Sequence, residues 1–149
     1  MFIREFVPRV LVSWLARALY HEPYLVAPID SRVDEGAAAV TTVRRLHWHG
    51  RDHRIEVTGD RPAFRPAEDS DEHFFKEHHW GFGRDRRGRT LAYECKHPVW
   101  ETYPVRSWSL DLDWASVYGP AWERLSHEKP ASVVLAAGSP VSVFLGAAP

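Results

Sequence analysis

The apolar segments of this chain are mostly strand-length, and most connections between them fall short of the dozen or more residues that a parallel crossover needs. That combination points to antiparallel strands and leaves little room for helix. Residues 37–49 and 54–58 pair across the turn Gly50-Arg51-Asp52, and residues 80–86 and 90–97 form a second hairpin around Arg87-Gly88. Residues 24–33 read as a strand broken by Pro28. Residues 100–111 read as a long strand whose Pro104 marks an edge or a bulge. Two last strands, 132–136 and 141–145, flank Gly138-Ser139-Pro140, and a first one, 2–7, sets Phe2, Arg4 and Phe6 against Ile3, Glu5 and Val7.

Helices are few. Pro8 suits a first helical turn, where a missing N–H costs nothing. Residues 9–20 then carry Val10, Leu11, Trp14, Leu15, Ala18 and Leu19 in one apolar stripe, with Arg9, Ser13 and Arg17 opposite and Pro23 as the stop. Ser70 or Asp71 caps a short helix reaching about residue 78, and Asp113 caps one that runs to Tyr118 before Gly119-Pro120. Residues 59–71, with Pro62, Pro66 and several acids, make a surface loop rather than a linker. About eight strands and three short helices give a single domain over residues 1–149 of the α+β, mainly β class, built on a curved antiparallel sheet.

A formal net charge of −1 supplies no field for steering nucleic acid or an anionic membrane, so neither is expected as a partner. The local basic groups, Arg44-Arg45 and the run around Arg87, read as solvated surface. One cysteine, Cys95, excludes an internal disulfide and a cysteine-based zinc cluster, and mid-strand it reads as a small buried hydrophobe. No apolar run approaches the ~20 residues needed to span a bilayer, and Arg4, Glu5, Pro8 and Arg9 interrupt the stretch where a signal peptide would be apolar. The expected location is cytoplasmic. Seven tryptophans suit cores, pocket walls and interfaces alike.

Several motifs, in order, carry a resemblance. Residues 2–9 (Phe-Ile-Arg-Glu-Phe-Val-Pro-Arg) and 18–24 frame the first helix. Glu77-His78-His79-Trp80-Gly81-Phe82 is similar to a Glu-His-Tyr-Trp-Gly-Tyr signature, His97-Pro98-Val99-Trp100 to a His-Pro-x-Trp motif, and Gly138-Ser139-Pro140-Val141 to a closing Gly-Ser-Pro-Val strand. Together they resemble the YqjF-like proteins, a domain of unknown function (COG2071-type, DUF2071). That family is similar in turn to acetoacetate decarboxylase-like proteins, which implies a partial cone-like β-barrel enclosing a pocket. Family members carry a block of strands before the Phe-Ile-Arg-Glu segment, so the chain resembles the C-terminal part of the domain. The expectation is exposed sheet edges that invite a homo-oligomer. The resemblance also implies a Schiff-base lysine near residues 4–10. None is present there, and Arg9 cannot form an imine because guanidinium stays protonated.

The resulting reading is an uncharacterised protein that binds a small carboxylate- or acyl-like ligand. Glu5, Arg9, Trp80, Phe82, Tyr93, His97 and Trp100 are the candidate pocket residues. Arg9 would grip a carboxylate bidentately, with Glu5 orienting it. Tyr93 and His97 share one hairpin face, and Trp80 and Phe82 share a face that could line the cavity. The competing reading makes Arg9–Glu5 a structural ion pair and His97 a hydrogen-bonded core residue. A second alternative is a metal site at His47, His49 and His53, but Glu56 is misplaced for it, and these residues read instead as solvated hairpin histidines. A third is a non-enzymatic assembly or interaction module. No cofactor fingerprint and no catalytic constellation is present, and no reaction is assigned.

Overall fold

A computed structural model of the protein describes residues 4–19, 24–84 and 87–146. The start of the first predicted strand, the Pro23 stop and residues 85–86 of the second hairpin lie outside them. The described residues form a mainly β domain of several sheets, none of them closed.

The largest sheet has four antiparallel strands in the order β3-β4-β5-β9: β3 (Ile29–Glu35), β4 (Ala39–Trp48), β5 (Arg51–Asp60) and β9 (Val105–Asp111). The β4–β5 hairpin is tighter than the predicted Gly50-Arg51-Asp52 turn. Trp48 pairs directly with Arg51, and His49 and Gly50, at φ 50° and 75°, make the turn. Two consecutive left-handed residues match the twist of the flanking strands, which is why such hairpins are favoured. The strand therefore starts three residues earlier than the pattern of residues 54–58 suggests.

Register then sorts the side chains. Ile29, Leu46 and His53 stand in one row, followed by Ser31, Arg44, Ile55 and Leu110, then Val33, Thr42, Val57 and Trp108. That face is mostly apolar. Asp30, Arg32, Arg45, Arg54 and Glu56 occupy the opposite, solvated one. At one end of the apolar face, β8 (Thr102–Tyr103) and β10 (Leu135–Ala136) pair and press on Gly59, where any Cβ would collide with Tyr103. Pro104 separates β8 from β9, as its missing N–H demands.

A second sheet, β11-β7-β6, joins β6 (Trp80–Arg84), β7 (Thr90–Lys96) and β11 (Ser142–Gly146), all antiparallel. Helix α2 (Asp71–Lys76) leads into it, with the Ser70 hydroxyl accepting from the His73 N–H at 3.2 Å. Helix α3 (Trp114–Tyr118) follows β9, capped by the Asp113 carboxylate, which accepts from the Ser116 N–H at 2.9 Å. A 3-10 helix, Pro120–His127, continues beyond the Gly119-Pro120 stop.

Two expectations need correction. The first strand, β1 (Glu5–Val7), pairs with β2 (Tyr24–Val26) in parallel, because α1 (Val10–Leu19) supplies a crossover long enough to return the chain. The apolar stripe of α1 also faces outward. The helix packs on β2 through buried Ser13 and Ala16, and the Ser13 hydroxyl donates to the Tyr24 carbonyl at 3.1 Å. Trp14, in the stripe, is 63 % exposed.

Candidate ligand-binding site

The apolar face of the large sheet floors a cavity of about 430 Å³. Ile29, Leu46, His53 and Ile55 form the floor; Phe6 and Pro8 at the end of β1 form one wall, and Leu112, Val117 and Tyr118 form the other. Ser31, Arg44 and Arg45 complete the lining. A volume of this size suits a small organic molecule.

Three sets of contacts hold the walls to each other and to the sheet. The Arg4 guanidinium donates to the Val117 carbonyl. The Trp48 indole N–H donates to the Ser116 carbonyl at 3.1 Å, and its ring meets Phe6 edge-on at 4.9 Å. The third contact passes through Asp113. Its side chain caps α3 while its backbone N–H donates to His53 Nδ1 at 3.2 Å.

That last bond sets the chemistry of His53, which is only 2 % exposed. With Nδ1 accepting, the ring hydrogen sits on Nε2. Nε2 is buried and has no hydrogen-bond partner among the described residues. A buried donor left unpaired carries its full desolvation penalty, on the order of 1–3 kcal/mol. In the cavity floor such a donor invites an acceptor from outside the protein.

The sequence predicts a solvated hairpin histidine at position 53, and its burial inside β5 corrects that expectation. His47 and His49 are exposed, and His47 Nδ1 lies 2.7 Å from Asp52 Oδ1. Among the described residues no group of three or more His, Cys, Asp or Glu side chains is placed to hold a metal ion.

The seven residues singled out from the sequence do not line this cavity. Glu5 alternates with Phe6 on β1, so one points away where the other points in. Its carboxylate instead lies near Cys95, whose thiol is pushed up first by burial and then by that charge. Arg9 is exposed at the head of α1. Trp80 pairs with Glu94 and Phe82 with Ala92, which sets both on the opposite face of β7 from Tyr93.

His97 and Trp100 do come together, but as part of a junction. Their rings stack at 4.1 Å, and His79 stacks on His97 at 5.1 Å. The Trp100 indole donates to the Ser139 hydroxyl at 2.7 Å, tying the His-Pro-x-Trp segment to the Gly-Ser-Pro-Val turn. Beneath them Glu77, its side chain 6 % exposed, pairs with buried Lys76 and accepts from the Trp100 N–H at 3.2 Å. Burial alone would raise the Glu77 carboxyl. The Lys76 and Trp100 hydrogen bonds, with the Lys76 and His97 charges, outweigh it and hold the group below its ordinary value. Gly81 leaves the space in which the Tyr93 ring lies, and any Cβ there would collide with it.

Fold and cavity together define a mainly β domain with an open, ligand-sized hollow on one sheet. The chain belongs to the DUF2071 family of uncharacterized conserved proteins (COG2071), whose family model matches residues 1–140. No curated protein matches it, and no solved structure does. Among the described residues no helix is long and apolar enough to cross a membrane.

Proposed function

We propose that this protein binds a small organic ligand of carboxylate or acyl character in the cavity over β3, β4 and β5. The observation that carries the reading is His53: a buried imidazole in the cavity lining, oriented by the Asp113 N–H, with an unpartnered Nε2 donor. The apolar floor supplies affinity by burial and the single oriented donor supplies direction, the usual division of labour in small-molecule sites. Neither a reaction nor a cofactor follows from these groups. A ligand-observed NMR screen of small acids, amides and alcohols tests it. Binders that carry an uncharged oxygen acceptor should weaken in His53→Asn, which keeps an acceptor for the Asp113 N–H but removes the donor at the Nε2 position, and recover in His53→Gln, which restores a donor near Nε2. Such hits binding His53→Asn unchanged would count against the site.

A second reading rests on surface area. The accessible surface is 10393 Å², against ~7,800 Å² for a folded monomer of this mass, an excess of about 2,600 Å². A standard interface takes only ~800 Å² from each partner. Val10, Leu11 and Trp14 on α1 and Val33 and Trp108 on the large sheet contribute to the exposed apolar surface. With so small a net charge opposing association, a second copy of the chain is the occupant that fits this surface. Light scattering should give a dimer that Trp14→Glu weakens; a monodisperse monomer at high concentration would rule this reading out.

A further inference from the structure

The cavity lining has a polarity of its own. In the floor stands His53, whose Nε2–H is a neutral donor, itself buried, so that an acceptor reaches it by displacing the side chains packed over it. One row along the sheet, Arg44 sits directly between Ser31 on β3 and Ile55 on β5, on the same face. Arg44 is exposed, lines the cavity, and forms no hydrogen bond or ion pair among the described residues. Among the described residues no Asp or Glu lines the cavity. Arg45, also in the lining, projects from the opposite sheet face, so the described lining offers donors, with Arg44 the cation on the cavity face, and no carboxylate to repel an anion.

We propose, building on the ligand-binding reading above, that the cavity takes an amphipathic carboxylic acid head-out. Its carboxylate lies on Arg44 and the Ser31 hydroxyl, its hydrocarbon body along Leu46 and Ile55, and a neutral oxygen accepts from His53 Nε2–H. Two physical facts fix the direction. A carboxylate placed against the buried imidazole would lose its water for one neutral hydrogen bond, which is costly. At the mouth it keeps part of its hydration and gains a charge-assisted, bidentate partner. The rows of Arg44 and His53 are two residues apart along β5, about 7 Å. The ligand class is thus an acid with a second, uncharged oxygen at the far end of a short chain.

Three probes separate the parts: 6-hydroxyhexanoate, hexanoate and 1,6-hexanediol, each titrated by ¹H–¹⁵N NMR into the full chain. Wild type should bind 6-hydroxyhexanoate tightest, roughly tenfold or more over the diol, with shifts at residues of the cavity floor. Arg44→Gln should remove the preference for the acid over the diol and leave the His53 shifts from both. His53→Asn should remove the preference for the hydroxy acid over hexanoate and leave the carboxylate preference. Equal binding of acid and diol by wild type, or an Arg44→Gln protein with its acid preference intact, overturns the head-out assignment while the cavity reading stands. If none of the three shifts a cavity residue, both fall.

Discussion

At the junction below β6 and β7 the buried Lys76 ammonium and Glu77 Oε1 meet one another, while Glu77 Oε2 faces His79 Nε2 at 3.7 Å without a hydrogen bond among the described residues. Glu77 Oε1 receives both the Lys76 ammonium and the Trp100 N–H, and the Trp100 indole reaches Ser139. In the hollow of the large sheet the arrangement differs: His53 is anchored through one nitrogen and its other nitrogen is left unmet. Self-satisfied polar groups stabilise a fold, whereas an oriented, unsatisfied one is a cost that a ligand can offset. The family's motifs therefore mark the part of the molecule that holds it together, and the candidate binding groups lie elsewhere.

Substitutions should separate the two regions, and the largest effect belongs to the junction. Glu77→Ala leaves the Lys76 ammonium buried without its partner and should cost about 3–5 kcal/mol in chemical denaturation. A loss under about 1 kcal/mol would mean that the pair is no keystone. Gly81→Ala drives a methyl into the Tyr93 ring and should cost about 1–3 kcal/mol. Removing the Asp113 cap with Asp113→Ala should cost about 1 kcal/mol and, by loosening α3, also weaken ligand binding. Smallest is His53→Asn, at about 1 kcal/mol, because the Asp113 N–H keeps an acceptor and the unpaired Nε2 donor is exchanged for the amide N–H donors of asparagine. A His53 variant as damaging as Glu77→Ala would erase the distinction.

Acid should act through the junction as well. Glu77 titrates lower in the folded chain than in the unfolded one, where a glutamate has a value of ~4.3. Its contribution is present above that value and lost as pH falls from there through the lower folded value. Wild type should therefore lose stability more steeply below about pH 4 than Glu77→Gln does. Parallel acid-denaturation curves would show that the pair contributes nothing to this dependence.

Much of the fold could be read in the residues. The cap at Ser70, the cap at Asp113, the break at Pro104 and both hairpins follow local rules that need no knowledge of the rest of the chain. The orientation of α1 was not legible, since the stripe predicts a helix but not which side finds a neighbour; Ser13 and Ala16 face β2 because small side chains let the helix approach. The cavity was missed for a related reason. Its residues come from β1, three strands of one sheet and α3, and no spacing in the sequence connects them. The one available signal was register: with His49-Gly50 as a two-residue turn, His53 falls opposite Leu46 inside a strand. A turn at Gly50-Arg51-Asp52 would instead leave His53 just outside the strand, beside the exposed His47 and His49.

The most direct test is a long-range ¹H–¹⁵N spectrum of the His53 imidazole, recorded with and without 6-hydroxyhexanoate. The expected result is hydrogen on Nε2, an accepting Nδ1, and an Nε2 resonance that moves on ligand addition while Nδ1 holds. Hydrogen on Nδ1, or an Nε2 resonance unmoved by a ligand that binds, would contradict a ligand-seeking His53.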